Sequence, residues 1–115
     1  MQERSLSGLW NRGREFLGVP YPLICGAMTW ISDSHLVRTM GEAGAFGVLA
    51  AGNMPLENLE REITTLRDAR PALPFAVNLI TIAPNYQAHL KKVADLGAPY
   101  VVFAGSFPRK SDVQV

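Results

Sequence analysis

The chain has 115 residues, of which 48% are hydrophobic and 18% are charged, and its formal net charge is +1. This length allows one domain with a real core and is too short for two. The composition is typical of a compact fold and argues against disorder. Basic residues are dispersed among acidic ones, so the sequence predicts neither a nucleic-acid-binding patch nor a polybasic membrane patch.

The chemistry-bearing residues are few and scattered. The single cysteine, Cys25, excludes an internal disulfide framework, and His35 and His89 are too isolated in sequence to form a metal-type cluster with it. Residues 1–5 begin no secretory signal, and no run reaches the ~18 apolar residues that a membrane span needs. We therefore expect a soluble, cytoplasmic protein.

The chain contains four apolar runs, and none of them alternates cleanly between polar and apolar residues. Such near-continuous runs predict strands covered on both faces, which usually means a parallel sheet. The runs cover residues 21–28, 46–52, 75–81 and 100–105.

Three segments of helical periodicity separate these runs. The first follows Ser32 or Asp33, either of which can cap a helix, and ends at Gly44. The second has Asn53 as a candidate cap, Pro55 at an early position and an apolar stripe of Leu56, Leu59, Ile63 and Leu66. The third opens at Pro84, ends at Gly97 and turns Tyr86, Leu90, Val93 and Ala94 inward.

The alternation of strands and helices predicts an α/β fold, either a doubly wound open sheet or a (β/α)8 barrel. A dinucleotide-binding open sheet would place a G-x-G-x-x-G motif after the first strand, but residues 25–30 read Cys-Gly-Ala-Met-Thr-Trp. A complete barrel needs about 250 residues. We therefore predict the N-terminal half of a barrel, with about four parallel strands and three to four helices. Residues 1–18 form a lead-in, and 19–115 form four βα units, the last one truncated.

Four motifs resemble one family of flavoenzymes. They are the stretches 16–28 (Phe-Leu-Gly-Val-Pro-Tyr-Pro-Leu-Ile-Cys-Gly-Ala-Met), 42–50, 74–79 and 101–106. In order and spacing they resemble the nitronate monooxygenases, formerly 2-nitropropane dioxygenases, and the related FMN-dependent enoyl-acyl carrier protein reductases. The likeness covers nearly the whole chain from Phe16 onward.

The resemblance implies that Gly26, Ala27 and Met28 contact the FMN ring and that Asn78 is a cofactor ligand. Barrel active sites lie at the carboxyl ends of the strands. Small residues there admit a flat ring, and a thioether offers it a soft apolar surface. A buried amide such as that of Asn78 must find hydrogen-bond partners. The structural alternatives are a tight turn with a core methionine and an amide bonded to neighbouring backbone.

Other candidates have simpler interpretations. We expect Cys25 to be an inert buried thiol and both histidines to be solvated. Ser106 lies at the expected mouth as a cap or a substrate contact, and Gly52 and Gly105 share the strand-end position. Trp10 and Phe16 are expected to cover the barrel floor.

The resemblance implies FMN-dependent oxidation of an alkyl nitronate, a small-molecule substrate, with O2. In the family the catalytic histidine lies in a Gly-Gly-His segment on a later strand, and this sequence contains no such segment. We therefore expect a truncated family member, with no catalytic residue assigned and with exposed barrel edges open to self-association. The alternatives are the enoyl reductase branch and a non-catalytic half-barrel.

Overall fold

The computed structural model describes residues 6–115, and the expectation for residues 1–5 lies outside this range. Helices and strands alternate along the described chain. In order they are α1 (Leu6–Leu17), β1 (Ile24–Cys25), α2 (Ser34–Glu42), β2 (Phe46–Ala50), α3 (Leu56–Asp68), β3 (Phe75–Ile80), α4 (Tyr86–Asp95), β4 (Tyr100–Ala104) and α5 (Lys110–Val113).

The four strands form one parallel sheet in the order β1-β2-β3-β4. Leu49 pairs with Val77, and Val77 pairs with Val101, so the three longer strands are in continuous register. A doubly wound sheet would reverse its strand order partway, whereas a barrel adds each new strand to the same edge. The sequential order therefore confirms the predicted partial (β/α)8 barrel.

The helices cover one face of the sheet and form the larger core. Buried residues from α2, α3 and α4 pack there against alternate strand residues. The cluster comprises Val37, Leu49, Ala51, Leu59, Ile63, Leu66, Phe75, Val77, Leu79, Tyr86, Leu90 and Val93. Gly47 allows α2 to come this close, because a Cβ on Gly47 would lie 2.8 Å from the Cα of Val37.

The opposite, concave face corresponds to the barrel interior. Its lower part is closed by a smaller cluster in which Leu17 and Val19 pack on Phe46, Val48 and Ala76. The Tyr100 ring lies edge-on to both Phe46 and Phe16, at centroid distances of 5.3 and 5.7 Å. Trp10 and Phe16 were predicted to cover the barrel floor. The Phe16 ring contacts Tyr100 there but is 71% exposed, and the Trp10 ring lies edge-on to Tyr21 at a centroid distance of 6.2 Å. Helix α1, which was not predicted within the lead-in, supplies this floor.

Several local predictions were correct and others were wrong. The Asp33 carboxylate accepts from the N–H of Leu36 and caps α2 as predicted (2.9 Å). Asn53 does not cap α3, because the Met54 N–H bonds to the Ala51 carbonyl (3.0 Å) and this turn delays the helix until after Pro55.

His89 was wrongly predicted to be solvated. Its ring is 1% exposed, because it lies on the apolar stripe of α4 three residues after Tyr86 and four before Val93. Its Nε2 lies 2.9 Å from the Met54 carbonyl oxygen. Ala94, predicted to face inward, is exposed.

The C-terminal segment forms a short helix, α5, as predicted. Its first turn is held by Asp112, whose carboxylate accepts from the N–H of Arg109 (3.2 Å). The Tyr86 hydroxyl donates to the same carboxylate (3.0 Å), which fastens α5 to α4. No helix of the described residues is both long and apolar enough to cross a membrane.

Candidate functional site at the carboxyl ends of the strands

All four strands end at the same edge of the sheet, because they are parallel. The residues predicted from the resemblance lie at this edge. Gly26, Ala27 and Met28 directly follow β1, and Asn78 lies in the carboxyl-terminal half of β3. The fold therefore places these four residues along the same edge of the sheet, which we call the rim.

The loop after β1 is a closed turn. The N–H of Met28 donates to the Ser32 hydroxyl (2.9 Å), and the N–H groups of Ile31 and Ser32 donate to the Met28 carbonyl (3.0 and 2.8 Å). Ser32, predicted as an alternative helix cap, instead fixes Met28 from a position that is only 2% exposed.

The same turn is attached to β2. The N–H of Ala50 donates to the Ser32 carbonyl (3.0 Å), and Ala50 is the register partner of Asn78. A short path of backbone contacts therefore leads from Met28 through Ser32 and Ala50 to Asn78. The ends of β1 and β3 are not on opposite sides of an open sheet.

Asn78 lies on the concave face. Strand residues alternate between faces, and Ala76, two residues earlier, belongs to the concave cluster. On its own face Asn78 is flanked by its register partners Ala50 and Val102, both apolar. Its half-buried amide is therefore an isolated polar group in an apolar part of the concave surface.

The residues after β1 include a position with open space around it. Among the described residues, a Cβ added to Gly26 would meet no atom within 4 Å. Packing within residues 6–115 therefore does not require glycine at this position. Ala27 packs against the concave cluster, and Met28 is 43% exposed.

The tips of β3 and β4 are joined by hydroxyl groups. The Thr81 and Ser106 hydroxyl oxygens lie 2.8 Å apart, and the N–H of Ser106 donates to the Thr81 hydroxyl (2.8 Å). Ser106 thus has a structural partner at the mouth, where it was predicted as a cap or a substrate contact. Gly105 has φ +100°, a conformation that favours glycine.

Two features of this rim were missed by sequence reasoning. Trp30 has a positive φ of 67° and is 81% exposed, and it lines a cavity of about 130 Å³ beside the β2–α3 loop. The buried His89 contacts the same loop, since its Nε2 lies within hydrogen-bond distance of the Met54 carbonyl oxygen. The helical spacing of His89 within the α4 stripe was a usable signal, whereas the residue types around Trp30 do not indicate the hydrogen-bonded turn that accompanies its positive φ.

The remaining titratable groups lie away from this rim or make no cluster. Cys25 is half-buried beside the register partner Gly47, and His35 is exposed as predicted. Within residues 6–115 no group of three or more His, Cys, Asp or Glu side chains is arranged to hold a metal ion. Burial and the hydrogen bond to Asp112 raise the pKa of Tyr86.

The fold and the rim together define a partial (β/α)8 barrel whose candidate functional edge is the carboxyl end of the sheet. The sequence profile described as Nitronate monooxygenase matches residues 11–107. The chain belongs to the nitronate monooxygenase family.

Two curated proteins are similar to parts of this chain. The chain is 41% identical over 71 residues to a protein named "Probable nitronate monooxygenase" from Staphylococcus saprophyticus, covering 62% of this chain and 20% of that protein. It is 34% identical over 65 residues to a carboxyl-CoA dehydrogenase of Mycobacterium tuberculosis, covering 56% of this chain and 18% of that protein. The chain thus spans about a fifth of the length of these curated relatives.

Solved structures show the same architecture. FabK from Thermotoga maritima superposes with a TM-score of 0.75 and 30% identity, covering 82% of this chain and 30% of that one. A nitroalkane oxidase from Streptomyces ansochromogenes superposes with a TM-score of 0.78, covering 89% of this chain and 38% of that one. At 23% identity, the second likeness shows the fold alone.

Proposed function

We propose that this chain forms the flavin-binding front part of an FMN-dependent oxidoreductase that oxidises alkyl nitronates with O2. Membership of the nitronate monooxygenase family supports the class of reaction. The observation that supports the proposal is that Gly26, Ala27, Met28 and Asn78 all lie at the carboxyl edge of the sheet; we term these four residues the Met28–Asn78 wall. Its members converge at the edge where barrel enzymes bind their ligands.

The residues of the wall fit a flat aromatic ring on structural grounds. Gly26 has open space where a side chain would stand, so backbone can approach a ligand there. The exposed thioether of Met28 offers a soft, polarizable surface. The amide of Asn78 provides a donor and an acceptor on an otherwise apolar patch, as expected for a group that fixes a ring's orientation.

The roles of these residues are binding and orientation. FMN supplies the electron-accepting chemistry when bound. Gly26, Ala27 and Met28 would hold one side of the ring, and the Asn78 amide would orient it by hydrogen bonding. We assign no proton-transfer role here, since the family resemblance places the histidine base in a Gly-Gly-His segment that this sequence does not contain. We therefore expect these 115 residues alone to be inactive in nitronate oxidation.

A second candidate is the FMN-dependent enoyl reductase branch. The 30% identity and TM-score of 0.75 with FabK favour it as an alternative. That reaction would need a nicotinamide donor and an enoyl thioester, and the Met28–Asn78 wall serves either reaction equally. A third possibility, of another class, is a non-catalytic half-barrel that assembles with a second polypeptide.

Flavin absorbance and substrate choice separate these candidates. The chain is purified after expression with excess FMN, and the absorbance near 450 nm of the protein fraction reports retained flavin. Retained FMN supports the proposal, and a colourless protein that does not bind added FMN supports the non-catalytic half-barrel. The substrate branch is tested on a protein carrying this sequence together with a Gly-Gly-His segment. Consumption of O2 with ethyl nitronate supports the nitronate branch, and oxidation of NADH or NADPH with an enoyl thioester supports the other.

A further inference from the structure

Trp30 presents an indole ring at the rim in an unusual backbone conformation. It is the non-glycine residue with positive φ among residues 6–115, at 67°, and its side chain is 81% exposed. The left-handed region is unfavourable for a bulky side chain and persists only where the surroundings impose it. Such outliers often lie at ligand-binding sites.

The surrounding turn imposes this conformation from both sides. Ile31 and Ser32 donate to the carbonyl of Met28 at 3.0 and 2.8 Å, and the N–H of Asp33 donates to the carbonyl of Ile31 (2.9 Å). These bonds close the backbone around Trp30 without burying its ring. The fold therefore holds a large apolar side chain outward next to the Met28–Asn78 wall.

The ring lines a cavity of about 130 Å³ together with Met54 and Pro55 of the β2–α3 loop. Ala50 also lines this cavity, and Ala50 is the register partner of Asn78. The cavity is thus adjacent to the proposed flavin wall and lies on the side away from β3.

Two carboxylates also line the cavity, and both are engaged elsewhere. Asp33 accepts from the N–H of Leu36, and Glu62 accepts from the N–H of Ser34, each at 2.9 Å. Both carboxylates therefore compensate the amino-terminal end of α2. The indole of Trp30, the thioether of Met54, the Pro55 ring and Ala50 form the apolar part of the lining, beside the uncharged polar residues Thr29, Ser32, Asn53 and Asn58.

We propose that this cavity receives the alkyl chain of the substrate and that Trp30 sets the chain length accepted. The inference rests on the proposed function for the identity of the substrate as an alkyl nitronate. An apolar cavity of about 150 Å³ can hold benzene, so about 130 Å³ accommodates a chain of up to about six carbon atoms. Longer chains extend beyond the indole into solvent and gain little further affinity.

Fluorescence tests the cavity without any need for flavin. The chain has two tryptophans, so Trp10→Phe leaves Trp30 as the sole indole, and Trp30→Phe gives the matched control with Trp10 alone. The probes are primary alcohols from 1-propanol to 1-hexanol, which carry no quenching nitro group. In the Trp30-only protein we expect a blue shift whose midpoint concentration falls about threefold to fourfold per added methylene.

The control protein should show no shift that depends on chain length. Equal responses of the two proteins, or a Trp30 response independent of chain length, would overturn the inference. If the protein binds no FMN but shows the chain-length-dependent blue shift, the proposed function is contradicted and the cavity is still established as an alkyl-chain site. The two failures are therefore distinguishable.

A second readout removes the indole without removing the turn. Asparagine tolerates the left-handed region, so Trp30→Asn keeps the backbone conformation. Saturation-transfer NMR with 1-hexanol should show at least a tenfold loss of affinity in this variant, with an unchanged melting temperature. Wild-type affinity for 1-hexanol in the Trp30→Asn protein would contradict the role given to the ring.

Discussion

The N–H of Ala50 donates to the carbonyl oxygen of Ser32 at 3.0 Å, across the gap between β2 and the loop after β1. This contact extends the connection between the first two strands beyond the two paired residues of β1. It fixes Met28 relative to Asn78, because Ala50 is in register with Asn78. The candidate site therefore depends on a serine that contacts no ligand in our account.

Loss of the Ser32 hydroxyl should loosen the turn. Ser32→Ala leaves the half-buried N–H of Met28 without its acceptor at 2.9 Å, which costs about 1–3 kcal/mol in the free energy of unfolding. Urea unfolding followed by circular dichroism measures this loss. Ser111→Ala on the exposed surface of α5 is the control and should change stability by less than about 0.5 kcal/mol. Equal effects of the two substitutions would contradict the role of Ser32.

Replacement of His89 should destabilise the β2–α3 loop. His89 Nε2 lies 2.9 Å from the Met54 carbonyl oxygen, which can only accept, and 3.0 Å from the side-chain amide of Asn85. His89→Leu leaves this carbonyl unpaired beneath the loop, and we expect a loss of about 1–3 kcal/mol. The exposed His35→Leu is the matched control. Amide hydrogen exchange should show faster exchange in residues 51–55 for His89→Leu alone; unchanged exchange there would exclude the proposed anchor.

The contact between Tyr86 and Asp112 should make stability depend on pH at both extremes. Burial alone raises the pKa of Asp112, but the hydrogen bonds from Tyr86 and Arg109 and the Arg109 charge lower it overall, below the ordinary 3.8. A lowered carboxyl pKa gives stability that is present above the ordinary value and is lost as pH falls through the folded one. Burial and Asp112 raise the pKa of Tyr86 above 10.0, so its contribution is present below pH 10 and is lost at higher pH.

Thermal melts of the wild-type chain from pH 2.5 to 11 measure this dependence. Asp112→Asn is the control, since an amide oxygen still accepts from Tyr86 but does not titrate. We expect the variant to be less stable than the wild type at neutral pH. Its melting temperature should also fall less steeply as the pH is lowered. If the melting temperatures of the two proteins fall equally steeply with decreasing pH, other carboxyl groups govern the stability in acid.

The open concave face should promote self-association. Ile24 and Val102 are 60% and 41% exposed, and each belongs to a strand that pairs on one side only within the described sheet. Unpaired parallel edges with apolar side chains favour association. Sedimentation velocity at micromolar concentration should show dimers or larger species, and the double variant Ile24→Lys, Val102→Lys should shift them toward monomer. A wild-type chain that sediments as a dilute, well-ordered monomer would refute this.

The apolar runs located the longer strands well, because a strand buried on both faces must be apolar throughout. The first run was misjudged in length: β1 covers only Ile24–Cys25, since the backbone turns away after Gly26 to form the Ser32 turn. The cap at Asn53 failed for a similar reason, as the Ala51–Met54 turn competes with the helix start.

The site was only partly accessible to sequence reasoning. Gly26 to Met28 and Asn78 were placed at one edge because parallel strands share their carboxyl ends. Trp30 was missed, since its positive φ accompanies hydrogen bonds among residues 28–33 that the residue types of this turn do not indicate. His89 was misassigned as solvated because histidine is often exposed, although its spacing follows the apolar stripe of α4.

The most direct test of the central claim is the affinity of the chain for FMN, measured by quenching of flavin fluorescence. Gly26→Val fills the open space at the end of β1, and Asn78→Leu removes the amide from the concave face. Asn11→Leu, on the exposed surface of α1, is the matched control. We predict that the wild type and the control bind FMN with equal affinity, that both wall variants bind at least tenfold more weakly, and that all four proteins fold. Equal FMN affinity in all four proteins would contradict the Met28–Asn78 wall as the flavin site.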